Sequence, residues 1–189
     1  MAPSSMARQL SSKVSRVLCF PKERSAHSHS CDLLSADVVL LQYPLEFKTA
    51  NPLADLDYYS AHTDANGPAM TSSIHSIVAA ELSVSGCESY TYALSAVEPY
   101  LRAPYDQFSE QQVDEYADNG GTNPAFTFLT GAGGYLQTWT HGFTGFRSRP
   151  DRLYLNPSLP PQLAPEGYTV KGLQYQVSCF SPPSQYFFT

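Results

Sequence analysis

The sequence predicts a mainly helical region followed by the start of a β segment, and three observations carry that reading. Met70, Ile74, Ile77, Val78 and Leu82 recur at three- and four-residue spacing, the period of a helix that buries one stripe. Prolines and glycines punctuate the chain at helix-sized intervals: Pro44, Pro68, Gly86, Pro99, the Gly120-Gly121 pair and Pro124. Beyond a proline-rich stretch that begins at Pro150, Tyr168-Thr-Val-Lys-Gly-Leu-Gln-Tyr-Gln alternates as a strand does.

A chain of 189 residues, 42% hydrophobic and 13% aromatic, can bury the core of one domain. Its net charge of −6 argues against nucleic acid as a partner, because phosphate binding needs a basic surface. The imbalance is uneven. Five lysines and arginines stand against two acids in residues 1–35, which leaves six against fifteen, or −9, in the rest. An acidic body suits a neutral ligand read by hydrogen bonds. No membrane partner is expected: the apolar run Val17-Leu18-Cys19-Phe20 is too short for a signal-peptide core or a membrane span. Cys19, Cys31, Cys87 and Cys179 stand far apart, without the spacing of a zinc site or the density of a disulfide framework. His27 and His29 belong to a Ser/His run read as a polar segment rather than a metal site. Neither metal nor cofactor is expected.

Residues 1–35 are serine-rich and basic and are read as a disordered N-terminus, although Arg8, Lys13 and Arg16 in an acid-free stretch also fit a mitochondrial presequence. Residues 36–43 read as a short helix with Ser35 as N-cap and Asp37 near the positive end of its dipole. Taken alone, Val38-Val39-Leu40-Leu41 reads equally well as a buried strand. Residues 46–66 form a polar connection with room for a turn of helix at Asp55-Leu-Asp-Tyr-Tyr. The striped helix occupies 68–85, opening at Pro68 with Asn66 near enough to cap it and closing at Gly86. A helix over 88–98 buries Tyr92, Leu94 or Val97 and stops at Pro99. Another, over 126–146, carries the stripe Tyr135, Leu136, Trp139 and Phe143, with Gly131, Gly133 and Gly134 admitting a close neighbour. Residues 150–167 are an extended linker. The strand 168–176 has no sheet to join, and 177–189 is left as a polar, proline-bearing tail.

The stretch that matters for function is a long loop from Arg102 to Gly134, held between helices. It interleaves Asp106, Glu110, Asp114, Glu115 and Asp118 with Tyr105, Phe108 and Tyr116. Carboxylates beside aromatic rings are the mixture of a sugar-binding acid-base site, and a solvated acidic loop has the same composition.

Within that loop Phe108-Ser-Glu-Gln111, followed by Asn119-Gly-Gly-Thr-Asn-Pro-Ala-Phe126, resembles the fungal acid trehalases of glycoside hydrolase family 65, which also holds the maltose and kojibiose phosphorylases. Three further blocks stand in the same order: Ala36-Asp-Val-Val-Leu-Leu-Gln-Tyr-Pro-Leu45, Gly67-Pro-Ala-Met-Thr-Ser-Ser-Ile-His-Ser-Ile-Val-Ala-Ala-Glu-Leu82, and Gly133-Gly-Tyr-Leu-Gln137 leading to Gly142-Phe-Thr-Gly-Phe-Arg147. The resemblance runs over about 36–176. It implies that 36–149 is the C-terminal part of an (α/α)6 catalytic barrel, that 168–176 opens a C-terminal β domain, and that the domain is incomplete. Two departures stand out. Leu34 and Ser35 occupy the place of a Lys-Gln pair that in the family binds sugar, and Thr127 replaces a proline.

The implied chemistry is inverting hydrolysis of an α-glucoside such as trehalose. One carboxylic acid protonates the leaving oxygen, and a carboxylate roughly 6.5–9.5 Å away activates water on the opposite face. The resemblance makes Glu110 the general base, with Ser109 and Gln111 orienting it and Asp106 and Asp114 standing behind it as supporting carboxylates. Asp118 is expected at the surface. The family's phosphorylases hold phosphate near the block containing Ser73, His75 and Ser76; here a structural histidine between two capping or back-bonding serines is the simpler expectation. A carboxylate at the attacking position would repel phosphate, which favours water as nucleophile. Arg147 is expected to anchor the end of the barrel by pairing with a carboxylate. The family's general acid lies upstream of the matching region, so the isolated chain is expected to be inactive, a truncated product or a sugar-binding remnant.

Overall fold

The computed structural model describes residues 38–82, 86–164, 166–173, 175 and 184–188. The readings made for residues 1–35, for Cys179 and for the start of the tail lie outside them. Helix dominates: α1 is Pro52–Ala61, α2 Thr71–Leu82, α3 Cys87–Ser95 and α4 Leu129–Gln137, the last continuing into a π-helical turn, Thr138–Phe143. Three antiparallel pairs of strands accompany them: β1 Leu101–Arg102 with β2 Gln107–Phe108, β3 Arg147–Ser148 with β4 Leu153–Tyr154, and β5 Tyr168–Leu173 with β6 Ser184–Phe188. Among the described residues the helices do not close into a barrel.

Helix α2 is the axis of the fold. The other three α-helices, or their extensions, pack on it, and Ser73 together with every residue from His75 to Ala80 is buried. The expected single stripe is therefore too narrow, because Ser73, Ser76, Ala79 and Ala80 are small enough to let neighbours approach on the other sides as well. The buried serine hydroxyls are paired: Ser76 donates to the Ser89 carbonyl at 2.6 Å, Ser89 to the Gly86 carbonyl at 2.6 Å, and Ser73 back-bonds to the Met70 carbonyl at 2.8 Å. Helix α3 meets α2 through Ser89 and Ala93, whereas Tyr92, Leu94 and Val97, expected as its anchors, are only half-buried. Larger side chains in the seam would hold the two helices apart.

On the other side α4 lies so close that a Cβ on Gly134 would fall 2.4 Å from the Ser73 hydroxyl oxygen. The glycine is what permits the approach. Phe143 is fully buried and Trp139 half-buried against Ala80, Ala93 and Tyr168, but Leu136, also expected in the stripe, is 64% exposed. A second cluster gathers Val39, Tyr43, Leu56, Ile77, Val78 and Ala79. Each large aliphatic or aromatic member stabilises the fold by about 1.5–3 kcal/mol relative to exposure.

Several boundaries differ from expectation for local reasons. The helix expected over 36–43 is a single 3₁₀ turn, Val39–Leu41, cut short ahead of Pro44. The polar connection contains a ten-residue helix, α1, with Pro52 in its first turn. Helix α4 starts at Leu129 rather than 126, since Phe126 pairs with Ser109 and Thr127 takes a φ of 60°. The strand at 168 does have a partner: β5 pairs with β6 in register Tyr168 with Phe188 through Leu173 with Ser184. The lone-strand expectation is thus corrected by a segment of the tail itself, Ser184–Phe188, which pairs with one edge of β5. Arg147 makes the carboxylate pairing expected of it, with Glu46 and Glu81 at 3.3 Å each, and lies 4.9 Å over the Tyr43 ring.

Candidate active site

The long acidic loop is built on a hairpin. After the 3₁₀ turn Glu98–Tyr100, β1 and β2 pair around an exposed turn at 103–106 that contains a cis Ala103–Pro104 bond and Asp106 at a φ of 51°. The chain then runs outward and returns antiparallel to itself. Ser109 bridges to Phe126, the Glu110 amide donates to the Ala125 carbonyl at 3.0 Å, and the Phe128 amide donates to the Phe108 carbonyl at 2.9 Å. From the side of α2, the Ala69 amide donates to the Glu110 carbonyl at 2.8 Å. Glu110 is therefore fixed by its backbone on both sides.

Its side chain is half-buried, and its Oε2 accepts the Ala125 amide at 2.9 Å. Among the described residues Oε1 has no hydrogen-bond donor. One oxygen is held and the other is open, which is the arrangement a proton-accepting carboxylate needs.

Arg102 organises the rest. Its guanidinium donates to both oxygens of Asp114, at 2.5 Å from Nε and 3.2 Å from Nη2, and to four backbone carbonyls: Pro99 at 2.8 Å, Leu101 at 3.3 Å, Gln111 at 2.9 Å and Gln112 at 2.8 Å. Asp114 also accepts the hydroxyl of the fully buried Ser109 at 2.5 Å. Hydrogen bonds from Arg102 hold the Asp114 carboxyl below its ordinary value; burial opposes the shift, and the Ser109 hydroxyl and the Arg102 charge add to it. Gln111 accepts the Thr122 hydroxyl at 2.7 Å, and its amide reaches the Ser109 oxygen at 3.4 Å.

The structure thus brings Ser109, Glu110, Gln111 and Asp114 into one loop core. Among the described residues neither the Ser109 nor the Gln111 side chain hydrogen-bonds the Glu110 carboxylate; the Ala125 amide does. Asp106 stands apart on the exposed hairpin turn, without a hydrogen bond or ion pair among the described residues, and Asp118 is exposed beyond it. Tyr105 and Tyr116 present open rings, 82% and 58% exposed. Arg102 and Ala125 are the contributors that sequence reading missed. The signal for Arg102 was there, a single cation in a loop of five acids; Ala125 acts through its backbone and has none.

His75 lies outside this loop, buried edge-on to Tyr92 at 5.4 Å between centroids. Burial lowers its pKa from 6.5 to about 4. A cavity of about 560 Å³ lies elsewhere, beside Arg147, and Ser109, Glu110 and Gln111 do not line it. None of the described helices is long and apolar enough to cross a membrane.

No protein-family model matches the chain. Individual proteins do. Over 146 residues it is 49% identical to the cell wall acid trehalase of Arthroderma benhamiae, covering 75% of this chain and 14% of that protein. Over 132 residues it is 48% identical to the acid trehalase of Emericella nidulans, covering 68% of this chain and 12% of that one. A more distant match, 37% over 119 residues, is the kojibiose hydrolase of Mucilaginibacter mallensis. The chain spans only 12–14% of the length of the two trehalases. By this similarity the chain is a homologue of the fungal acid trehalases, and its sequence belongs with theirs.

Proposed function

We propose that this chain carries the base-bearing segment of an inverting glycoside hydrolase that acts on α,α-trehalose, with Glu110 as the general base that activates water. The observation that carries the reading is the state of Glu110. It is pinned through its own amide and carbonyl and through Oε2, while Oε1 has no donor among the described residues, and it sits in a block that resembles one of the acid trehalases. Arg102 and Asp114 neutralise each other and set the loop around the base. The leaving sugar needs a proton from a second carboxyl group, and Asp114, tied to Arg102, is ill suited to give it. In this reading the acid comes from another part of an (α/α)6 barrel, of which α1 to α4 form a portion.

The test is a chimaera. Residues 36–176 of this chain replace the matching stretch of the Arthroderma benhamiae relative, and trehalose hydrolysis is followed by release of glucose and by the anomer formed. Activity with release of the inverted anomer supports the proposal; a folded chimaera without activity sinks it. The similarity to a kojibiose hydrolase favours a second reading, in which the glucoside is not trehalose. Assaying the same chimaera on kojibiose and maltose separates the two.

A further inference from the structure

Of the six lysines and arginines that follow residue 35, four line one cavity: Lys48, Arg147, Arg149 and Arg152. In a body carrying fifteen acids against six bases, such a concentration of positive charge runs against composition. The cavity measures about 560 Å³, within the roughly 300–1,000 Å³ usual for small-molecule sites.

The charges are only partly spent. Glu46 and Glu81 are the carboxylates of the cavity; Arg147 pairs with both at 3.3 Å, and Arg149 pairs with Glu46. Lys48 has no ion pair among the described residues. Arg152 reaches Asp151 at 3.5 Å, but both side chains are about 70% exposed, at 72% and 69%, and such a pair is worth little in water. Four cations against Glu46, Glu81 and the adjacent Asp151 still leave a positive excess where partly buried walls focus the field. Planar guanidinium groups and an ammonium are the groups that bind phosphate oxygens.

The rest of the lining suits what a phosphate would be attached to. Phe47 and Tyr154, each 47% exposed, offer apolar ring faces. Asn156 supplies an amide, and the buried Thr49 hydroxyl has no hydrogen-bond partner among the described residues. We infer that this cavity is a binding site for a phosphorylated sugar, its phosphate taken by Lys48 and Arg152 and its ring lying against Phe47 and Tyr154. Arg147 stays with Glu46 and Glu81 as the wall. None of Ser109, Glu110 and Gln111 lines the cavity, so the inference stands or falls apart from the assignment of the base.

Calorimetric titration of the 189-residue chain tests it, with glucose 6-phosphate, inorganic phosphate and glucose as separate probes. Glucose 6-phosphate is expected to bind in the millimolar range or tighter, to weaken as salt is added, and to lose at least about tenfold in affinity in Lys48→Gln with Arg152→Gln. Both side chains are exposed, so the double variant should keep the circular dichroism of the parent. Binding of inorganic phosphate as tight as that of glucose 6-phosphate would overturn the sugar half and leave a site for free phosphate. Equal binding of glucose, no saturation by either phosphate, or undiminished binding in the folded double variant would overturn the site.

Discussion

The Ala125 amide donates to the Glu110 carboxylate at 2.9 Å, from the far limb of an eighteen-residue excursion that runs from Ser109 to Phe126. A glutamine at position 110 can accept the same bond through its amide oxygen but cannot accept a proton. In an intact enzyme carrying this segment, Glu110→Gln should lower turnover by roughly 10²–10⁴ with little change in substrate binding. Azide, a nucleophile that needs no base, should restore part of the product with inverted configuration. Wild-type turnover by the variant would remove Glu110 from the mechanism, while Asp118→Asn should leave turnover near the parent.

Arg102→Met removes the donor shared by Asp114 and four carbonyls and should cost about 2 kcal/mol or more in denaturant unfolding. It should also raise the Asp114 pKa, readable by NMR. The sign is fixed by the lowered value: Asp114 stabilises the fold above its ordinary 3.8, and the contribution is lost as pH falls through the folded value. An unchanged melting profile in the variant would mean that the cluster is incidental.

Burial sets His75 in the opposite charge sense. Its folded pKa near 4, against 6.5 when free, means that the unfolded chain takes up the proton first. Its contribution is complete above 6.5, declines by about 3 kcal/mol as pH falls to 4, and is level below. His75→Phe keeps an aromatic ring against Tyr92 and should flatten stability across that window. A variant with the parent's slope would place the titration elsewhere.

A Cβ at position 134 would crowd Ser73 in the seam between α2 and α4. Gly134→Ala should destabilise by about 1–3 kcal/mol through overpacking. Ser73→Ala removes the oxygen that the new methyl would strike at 2.4 Å, so the double variant should recover part of the loss. Additive penalties would show that the two residues do not meet.

If Glu110 is the base and the acid comes from another part of the barrel, as proposed, the 189 residues alone should release no glucose from trehalose at any pH. They should also bind a hydrophobic dye through Leu45, Leu129 and Leu136, each more than 60% exposed at 69%, 75% and 64%. Measurable hydrolysis by the purified chain would show that a second acid lies within it.

How much of this was legible depends on how local the cause is. The period of Ile74, Ile77, Val78 and Leu82 revealed α2, because one helix repeats its own pattern. Helix α1 buries only Leu56 and so has no stripe to find. Strands of two residues, as in β1 and β2, are shorter than any alternation, and the pairing of β5 with Ser184–Phe188 is a contact across a gap that periodicity does not register. At the candidate site, resemblance pointed to Glu110 and composition to an acidic loop. The guanidinium hub escaped because Arg102 binds mostly carbonyls, which every residue carries.

That hub divides the loop into parts with different freedom to vary. Arg102 gathers oxygens from Pro99 to Asp114, so an inserted residue between Ser109 and Asp114 would pull several of them out of reach at once. The hairpin tip at 103–106 contributes nothing to the cluster and faces solvent along its whole length. Length and side chains can therefore change at Tyr105 and Asp106 while Glu110 keeps its place, which makes the tip the part of this loop free to vary without disturbing the network beneath it.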